Sequence, residues 1–133
     1  MNRLNTTIKA IHSSGGVILV DLQVENCMMS AMLIDTPKKP NWLENGNNLS
    51  IIFKENDVSL AKGLSGVIST RNMLPCSVKQ IQKGDLISLV TMQFFSYSIQ
   101  SAITTRALNH LELNLGDEIL ALVKANELTL MQK

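Results

Sequence analysis

The chain has 133 residues, of which 45% are hydrophobic and 17% charged. This composition supports a packed core and excludes an intrinsically disordered chain. A net charge of +1 and an aromatic content of 4% argue against nucleic-acid binding, which needs basic surface and stacking platforms. Two cysteines are too few for a disulfide scaffold, and no signal-peptide or membrane-spanning segment is visible. We therefore expect a cytoplasmic protein with two buried, inert thiols.

An internal repeat organises the chain. Asn2 aligns with Asn72 and Leu4 with Leu74, and the same offset of 70 residues continues without a gap to Leu130, the partner of Leu60. A constant register over a whole half argues against chance likeness between two strand-rich segments. We predict two domains, residues 1–63 and 71–133.

Each half is predicted to contain five short strands. In chain order the first half offers TTIKAI, GVILVDLQV, MMSAMLI, LSIIFK and DVSLA, and the second half offers CSVKQI, LISLVTMQF, YSIQSAI, EILALVK and ELTLM. Alternating or β-branched runs bounded by turn residues are typical of strands. Asn45-Gly46 and Gly116-Asp117 mark turns before the fourth strand of each half.

A short helix is predicted between the third and fourth strands. Four residues of the second half have the spacing of one helix face: Ala107, Leu108, Leu111 and Leu115. Thr104 or Thr105 is the expected N-cap. In the first half Pro37 and Pro40 interrupt this stretch, so a helix there is shorter or lost. The predicted fold class is all-β with a short helix per repeat, built as two tandem OB-like five-stranded barrels.

No catalytic or metal-binding constellation is visible. His12 and His110 have no carboxylate or cysteine at ligand spacing. No Gly-rich phosphate loop and no nucleophile elbow occurs. We therefore expect no enzymatic activity, no cofactor and no bound metal ion.

Three segments are rich in groups that bind oxyanions: STRN at 69–72, ITTRA at 103–107 and VKAN at 123–126. A tetrahedral dianion needs donors from several sides and some neutralising charge, which hydroxyls, amides, backbone N–H groups, Arg and Lys supply. A helix beginning at Thr104 would add a favourable dipole. Taken alone, each residue is a turn residue, a solvated cation or a cap. The combination within one repeat favours a site. The candidates are Ser69, Arg71, Asn72, Thr104, Lys124, Ala125 and Asn126.

These segments resemble a known family. STRNMLPCSVKQI resembles the S-x-R-N-x-L opening of the molybdate-binding Mop or TOBE domains. ITTRALNHLELNLGDEILALVKANELTL resembles the rest of that domain, with its I-T segment, its L-x-L-x-x-G turn and its closing V-K-A strand. In the first half IIFKENDVSLAKG resembles the end of such a domain in the molybdate importer ATPase. That half carries Met1 in place of the family's Arg, Ile34 in place of Thr and Pro37 in place of a small residue, so we read it as a degenerate copy kept as a scaffold.

The resemblance implies molybdate or tungstate as the ligand, with sulfate bound more weakly, and sites at the subunit interfaces of a homo-oligomer. Arg71 and Lys124 would neutralise charge, Ser69 and Thr104 would donate hydroxyl hydrogen bonds, and the backbone around Ala125 would donate N–H groups.

The implied function is cytoplasmic oxyanion binding for storage, homeostasis or transport regulation, without nucleic acid or membrane insertion. The alternative is an anion-independent interaction module that regulates a molybdate importer by contact with its components. The loss of motif residues in the first half motivates that alternative.

Overall fold

The computed structural model describes residues 1–34 and 38–133. Over these residues each half contributes five strands in the predicted order. The first half forms β1 (Asn2–Ser14), β2 (Val17–Val24), β3 (Cys27–Leu33), β4 (Asn48–Phe53) and β5 (Ser59–Ala61). The second half forms β6 (Asn72–Gln82), β7 (Ile87–Phe94), β8 (Tyr97–Thr104), β9 (Glu118–Val123) and β10 (Thr129–Gln132), with helix α1 (Thr105–Leu111) after β8. A 3-10 turn precedes each closing strand, at Glu55–Asp57 and Ala125–Glu127.

The repeat seen in the sequence extends to the hydrogen-bond register. β1 shifts register between Ile8 and Ala10, and β6 shifts between Val78 and Gln80, which are equivalent positions. The turn glycines bond to the strands at the same positions. Gly46 N donates to Ile8 O and Gly116 N donates to Val78 O, each over 2.8 Å. Both glycines have φ near +90°, a conformation that side chains disfavour. Each predicted turn is therefore hydrogen-bonded to the bulged central strand of its sheet.

The two antiparallel sheets exchange their last strands. One sheet has the order β10-β4-β1-β2-β3 and the other β5-β9-β6-β7-β8. β5 leaves the first half to pair with β9, with Leu60 opposite Ala121, while β10 returns to pair with β4, with Leu130 opposite Ile51. The sequence analysis did not predict this exchange. The domain limits 1–63 and 71–133 stay a prediction about the repeat, since each sheet holds strands from both.

Helix α1 begins as the spacing predicts. Thr104 is the N-cap, and its hydroxyl accepts a hydrogen bond from Ala107 N over 3.0 Å. Leu108 is buried, but Leu115 is 67% exposed, because the chain leaves the helix at Glu112, which has φ 50°. The expectation that Leu115 continues the packed face is wrong for this reason.

The first repeat has no α-helix among its described residues. Residues 38–41, the described part of the stretch equivalent to α1, form a bend and a turn around Pro40. Pro37, the other predicted helix breaker, lies outside the described residues. The all-β class with two OB-like five-stranded sheets is confirmed, and the helix expected in each repeat is found in the second.

A single hydrophobic cluster joins both repeats. Equivalent strand positions supply equivalent side chains, such as Leu4 and Leu74 from the central strands, both fully buried. Cys76 lies in this cluster, and burial raises the pKa of its thiol to about 12. Cys27 is only half-buried, so the expectation of two buried thiols holds for Cys76 alone.

Because each sheet contains a strand of the other repeat, we expect both repeats to unfold together. Leu74→Ala should lower the free energy of unfolding by about 2–5 kcal/mol, the usual cost of a cavity in a core. The urea midpoint followed by fluorescence of the single tryptophan, Trp42 in the first repeat, should shift as far as the midpoint followed by circular dichroism.

Leu115→Ala is the control, since its exposed side chain should change stability by less than about 0.5 kcal/mol. A Trp42 transition that stays at the parent midpoint while circular dichroism moves would contradict the coupling.

Candidate functional site

Two cations meet where β6 begins and β9 ends. Asn72 pairs with Val123 at the last step of the β6–β9 ladder, and Arg71 and Lys124 are the next residues on these two neighbouring strand ends. Both side chains are exposed and form no ion pair or hydrogen bond within the described residues. Strand register alone therefore brings together two uncompensated positive charges that are far apart in sequence.

Further donors lie on either side of this cation pair. Ser69 is exposed on the segment that leads into β6. After Lys124 the chain makes its 3-10 turn, in which Glu127 N donates to Lys124 O over 3.0 Å. Ala125 and Asn126 are the two residues before Glu127, and their N–H groups have no acceptor among the described residues. Glu127, half-buried, is the carboxylate of this turn, so two cations outweigh one negative charge.

Asn72 is placed differently from the other candidates. Its side chain is 1% exposed, and both polar atoms bond the backbone of Ser30 in β3 of the first repeat. Asn72 Nδ2 donates to Ser30 O over 2.9 Å, and Ser30 N donates to Asn72 Oδ1 over 2.7 Å. We call this pair of bonds the Asn72 clamp. Sequence analysis named Asn72 but gave no signal for Ser30, whose backbone is recognised rather than its side chain.

Thr104 lies at the other end of the sheet. It pairs with Ile87 at the end of the β7–β8 ladder, beyond the point where the last residue of β6, Gln82, pairs with Leu89. From Asn72 to Gln82 an extended strand covers roughly 30 Å. One copy of the chain therefore does not bring Thr104 to Arg71 and Lys124.

The surroundings of Thr104 form a second group of polar residues. Thr105 bonds three ways into the β6–β7 loop and β7: its N–H reaches Leu86 O, and its hydroxyl meets Gly84 O and Ser88 Oγ, each over 2.8 Å. Sequence analysis considered Thr105 as an alternative cap and missed this role. Beside it is a cavity of about 570 Å³ lined by Asp85, Leu86, Ile87, Thr104, Thr105, Arg106 and Asn109. With seven residues, α1 contributes little dipole.

The equivalent positions of the first repeat carry different chemistry. Glu55 stands where the second repeat has Ala125, and its Oε1 lies 2.6 Å from the α-nitrogen of Met1, the residue equivalent to Arg71. That hydrogen bond is the main cause that lowers the pKa of the Glu55 carboxyl. Ile34, in place of Thr104, has no hydroxyl. The first repeat thus places a carboxylate, paired with the α-amine of Met1, where the second repeat has only a methyl group.

Neither histidine builds a metal site within the described residues. His12 Nε2 lies 3.3 Å from Asp21 Oδ2 on the exposed face of β1 and β2, a carboxylate contact that the sequence did not predict. His110 is exposed on α1. In residues 1–34 and 38–133 no three His, Cys, Asp or Glu side chains come close enough to hold a metal ion. No helix of these residues has the length and apolar character to cross a membrane.

Comparison with known proteins finds a family match for the second repeat, which carries the unpartnered donors. The TOBE domain family matches residues 68–130. The second repeat is therefore similar to a TOBE domain. Its motif segments from Ser69 to Asn126 all lie inside the matched range, which confirms the resemblance inferred from the sequence.

The TOBE domain also relates the chain to a larger protein. The molybdenum import ATP-binding proteins ModC of Brucella abortus and Brucella suis are 37% identical to this chain over 70 residues. The match covers 52% of this chain but 20% of the length of those relatives. It therefore shows similarity to a part of ModC and not to its whole length.

Among solved structures, one similar protein matches both repeats. The cytoplasmic molybdate-binding protein ModG, in a crystal form with molybdate bound, superposes with a TM-score of 0.92 at 25% identity. The match covers 99% of this chain and 96% of ModG. A molybdate-binding protein from Sporomusa ovata is 38% identical over 45% of this chain and 90% of its own, with a TM-score of 0.44. The likeness to ModG over almost the whole chain confirms the fold of two OB-like five-stranded sheets.

The capping role of Thr104 can be separated from a ligand role by substitution. Thr104→Ala removes the acceptor for Ala107 N and should cost about 0.5–2 kcal/mol of stability. Thr104→Asp keeps an acceptor at the N-cap and should stay within a few tenths of a kcal/mol of the parent. Urea unfolding measures both, and equal losses in the two variants would contradict the cap assignment.

Proposed function

We propose that this chain binds molybdate or tungstate in the cytoplasm, for storage, homeostasis or regulation of transport, without catalysing a reaction. The observation that carries the proposal is the cluster of unpartnered donors where β6 begins and β9 ends, within the TOBE domain. ModG, which shares the fold over almost the whole chain, supports the choice of molybdate. We take Ser69, Arg71, Lys124, Ala125 and Asn126 as the ligand-binding residues at this end.

The chemistry of this cluster suits a tetrahedral dianion. Arg71 and Lys124 supply charge-assisted hydrogen bonds, and the Ser69 hydroxyl adds a directional donor. The adjacent N–H groups of Ala125 and Asn126 form a small backbone anion site of the kind that turns create. Oxyanions of this shape differ mainly in size, so sulfate should fit the same donors less well than molybdate.

The repeat itself supplies a matched pair of variants for testing the site. Lys124 and Lys54 both precede a 3-10 turn, are exposed and make no side-chain capping bond. Lys124→Met should weaken molybdate binding roughly ten- to hundredfold, the value of a charge-assisted hydrogen bond. Lys54→Met should leave it unchanged. Isothermal titration calorimetry of the full chain, with Arg71→Ala and a sulfate titration beside it, measures these effects.

A functional parent should also gain thermal stability from millimolar molybdate, because a ligand that binds only the folded state stabilises it. Absence of both binding heat and stabilisation in the parent would refute the oxyanion role. Equal losses in Lys124→Met and Lys54→Met would place the site elsewhere.

We further propose that the site is completed by a second copy of the chain. Ser69, Arg71, Lys124 and Asn126 are all exposed, so one copy surrounds an anion from one side only. Thr104, whose hydroxyl hydrogen is left for a ligand, lies at the opposite end of the sheet. In a homo-oligomer the Thr104 end of one copy can face the Arg71 end of the next, as in closed symmetric assemblies.

Mixing two defective variants tests the shared site. Arg71→Ala and Thr104→Asp each should bind poorly alone. If the oligomer forms each site from two copies, unfolding and refolding a 1:1 mixture should restore about one quarter of the sites (½ × ½ of the interfaces). A mixture that binds no more than its components would indicate that each site lies within one copy.

The similarity to ModC favours a second candidate function. The chain could act as a regulatory module that contacts components of a molybdate importer without binding the anion. Its degenerate first repeat agrees with such a role. Association with an importer ATPase that molybdate does not alter, together with no binding heat, would support this function over oxyanion binding.

A further inference from the structure

We propose that Asn72 is a positioning residue for the oxyanion site, acting through the Asn72 clamp on Ser30 of the first repeat. This inference rests on the proposed oxyanion binding and deepens it. It assigns a function to the first repeat, in which Met1, Glu55 and Ile34 stand in place of Arg71, Ala125 and Thr104. Its strand β3 holds the donors of the second repeat in place.

The geometry of the clamp excludes a direct ligand role for Asn72. The amide oxygen accepts from Ser30 N and the amide nitrogen donates to Ser30 O. The side chain is 1% exposed, so it does not reach an anion bound on the surface. Its placement among the candidate ligands in the sequence analysis reflects its proximity to Arg71 in the motif.

The clamp and the contacts around it join Arg71, Lys124 and the turn N–H groups to one strand. Asn72 directly follows Arg71 and pairs with Val123, the residue before Lys124. The 3-10 turn Ala125–Glu127 packs against β3, the strand whose backbone the clamp grips. Arg71, Lys124 and the turn N–H groups are therefore fixed relative to β3 and to one another. Donors must be held to within a fraction of an ångström to match an anion, and supporting hydrogen bonds provide that precision.

Asn2 of the first repeat makes an equivalent pair of bonds, away from the proposed oxyanion site. Asn2 Nδ2 donates to Gln100 O over 2.9 Å, and Gln100 N donates to Asn2 Oδ1 over 2.7 Å. Asn2 is 3% exposed, so the two clamps match in distance and burial. Beside Asn2, Met1 and Glu55 replace Arg71 and Ala125, while Lys54 keeps the cation of Lys124. Asn2 is therefore a control in which the stability effect is retained and the positioning effect is absent.

The test compares Asn72→Ala with Asn2→Ala in the full chain by molybdate and sulfate calorimetry. Both variants should lose similar thermal stability. Asn72→Ala should weaken molybdate binding at least tenfold and lower the ratio of molybdate to sulfate affinity, because displaced donors no longer discriminate by size. Asn2→Ala should keep the parent affinity within twofold and the parent ratio. Should Asn72→Ala fail to fold, Asn72→Ser and Asn2→Ser form a milder pair in which water can satisfy the Ser30 backbone.

The outcomes separate this inference from the proposed function. A parent that binds no molybdate removes the function and the positioning role together. A parent that binds, with equal loss of affinity in the Asn72 and Asn2 variants, retains the function and overturns the positioning role. Unchanged affinity and ratio in the Asn72 variant overturn it as well.

Discussion

The need to pair the edge strands of two small sheets governs this structure. A half of about 65 residues makes a thin core, and β4 and β9 would each expose a row of unpaired backbone groups. The exchange of β5 and β10 supplies both partners. The chain that leaves β5 is then held by Lys62, which bonds Glu112 O and Asp117 Oδ2. It continues from there to Ser69 and Arg71, so the connection that follows the exchanged strand also leads the proposed ligand-binding residues to the end of β9.

Contacts between the repeats give the first copy a structural role that does not depend on anion-binding residues. Ser101 Oγ donates to Val58 O over 2.6 Å in the interior, and the Asn2 and Asn72 clamps each tie a central strand to the third strand of the other repeat. Loss of Thr at position 34 or gain of Glu55 leaves these bonds untouched. Removal of the whole repeat would leave buried amides and a sheet edge unsatisfied, which is costly.

The arrangement of the candidate site could be anticipated from the sequence only in part. The sequence selects Arg71 and Lys124 because both lie in motif segments, and strand register brings them together. It also selects Thr104 and Asn72. The sheet places Thr104 roughly 30 Å along the strands from Arg71 and Lys124. Both polar atoms of the Asn72 amide bond to the backbone of Ser30. A motif marks residues that matter without separating those that touch a ligand from those that hold the fold, since both kinds are polar and occur side by side.

The sequence by itself determined the repeat, the ten strands, the turns at Gly46 and Gly116 and a cap at Thr104 or Thr105, because these depend on local periodicity and on the conformational preferences of single residues. Tertiary structure alone decided which strand closes which sheet, that Leu115 is exposed and that Asn72 faces the other repeat. These features depend on pairings between segments distant in the chain, and β5 and β10 are so alike in pattern that either sheet edge would accept either strand. Which sheet edge each strand pairs with is therefore set by the folded arrangement of the other strands.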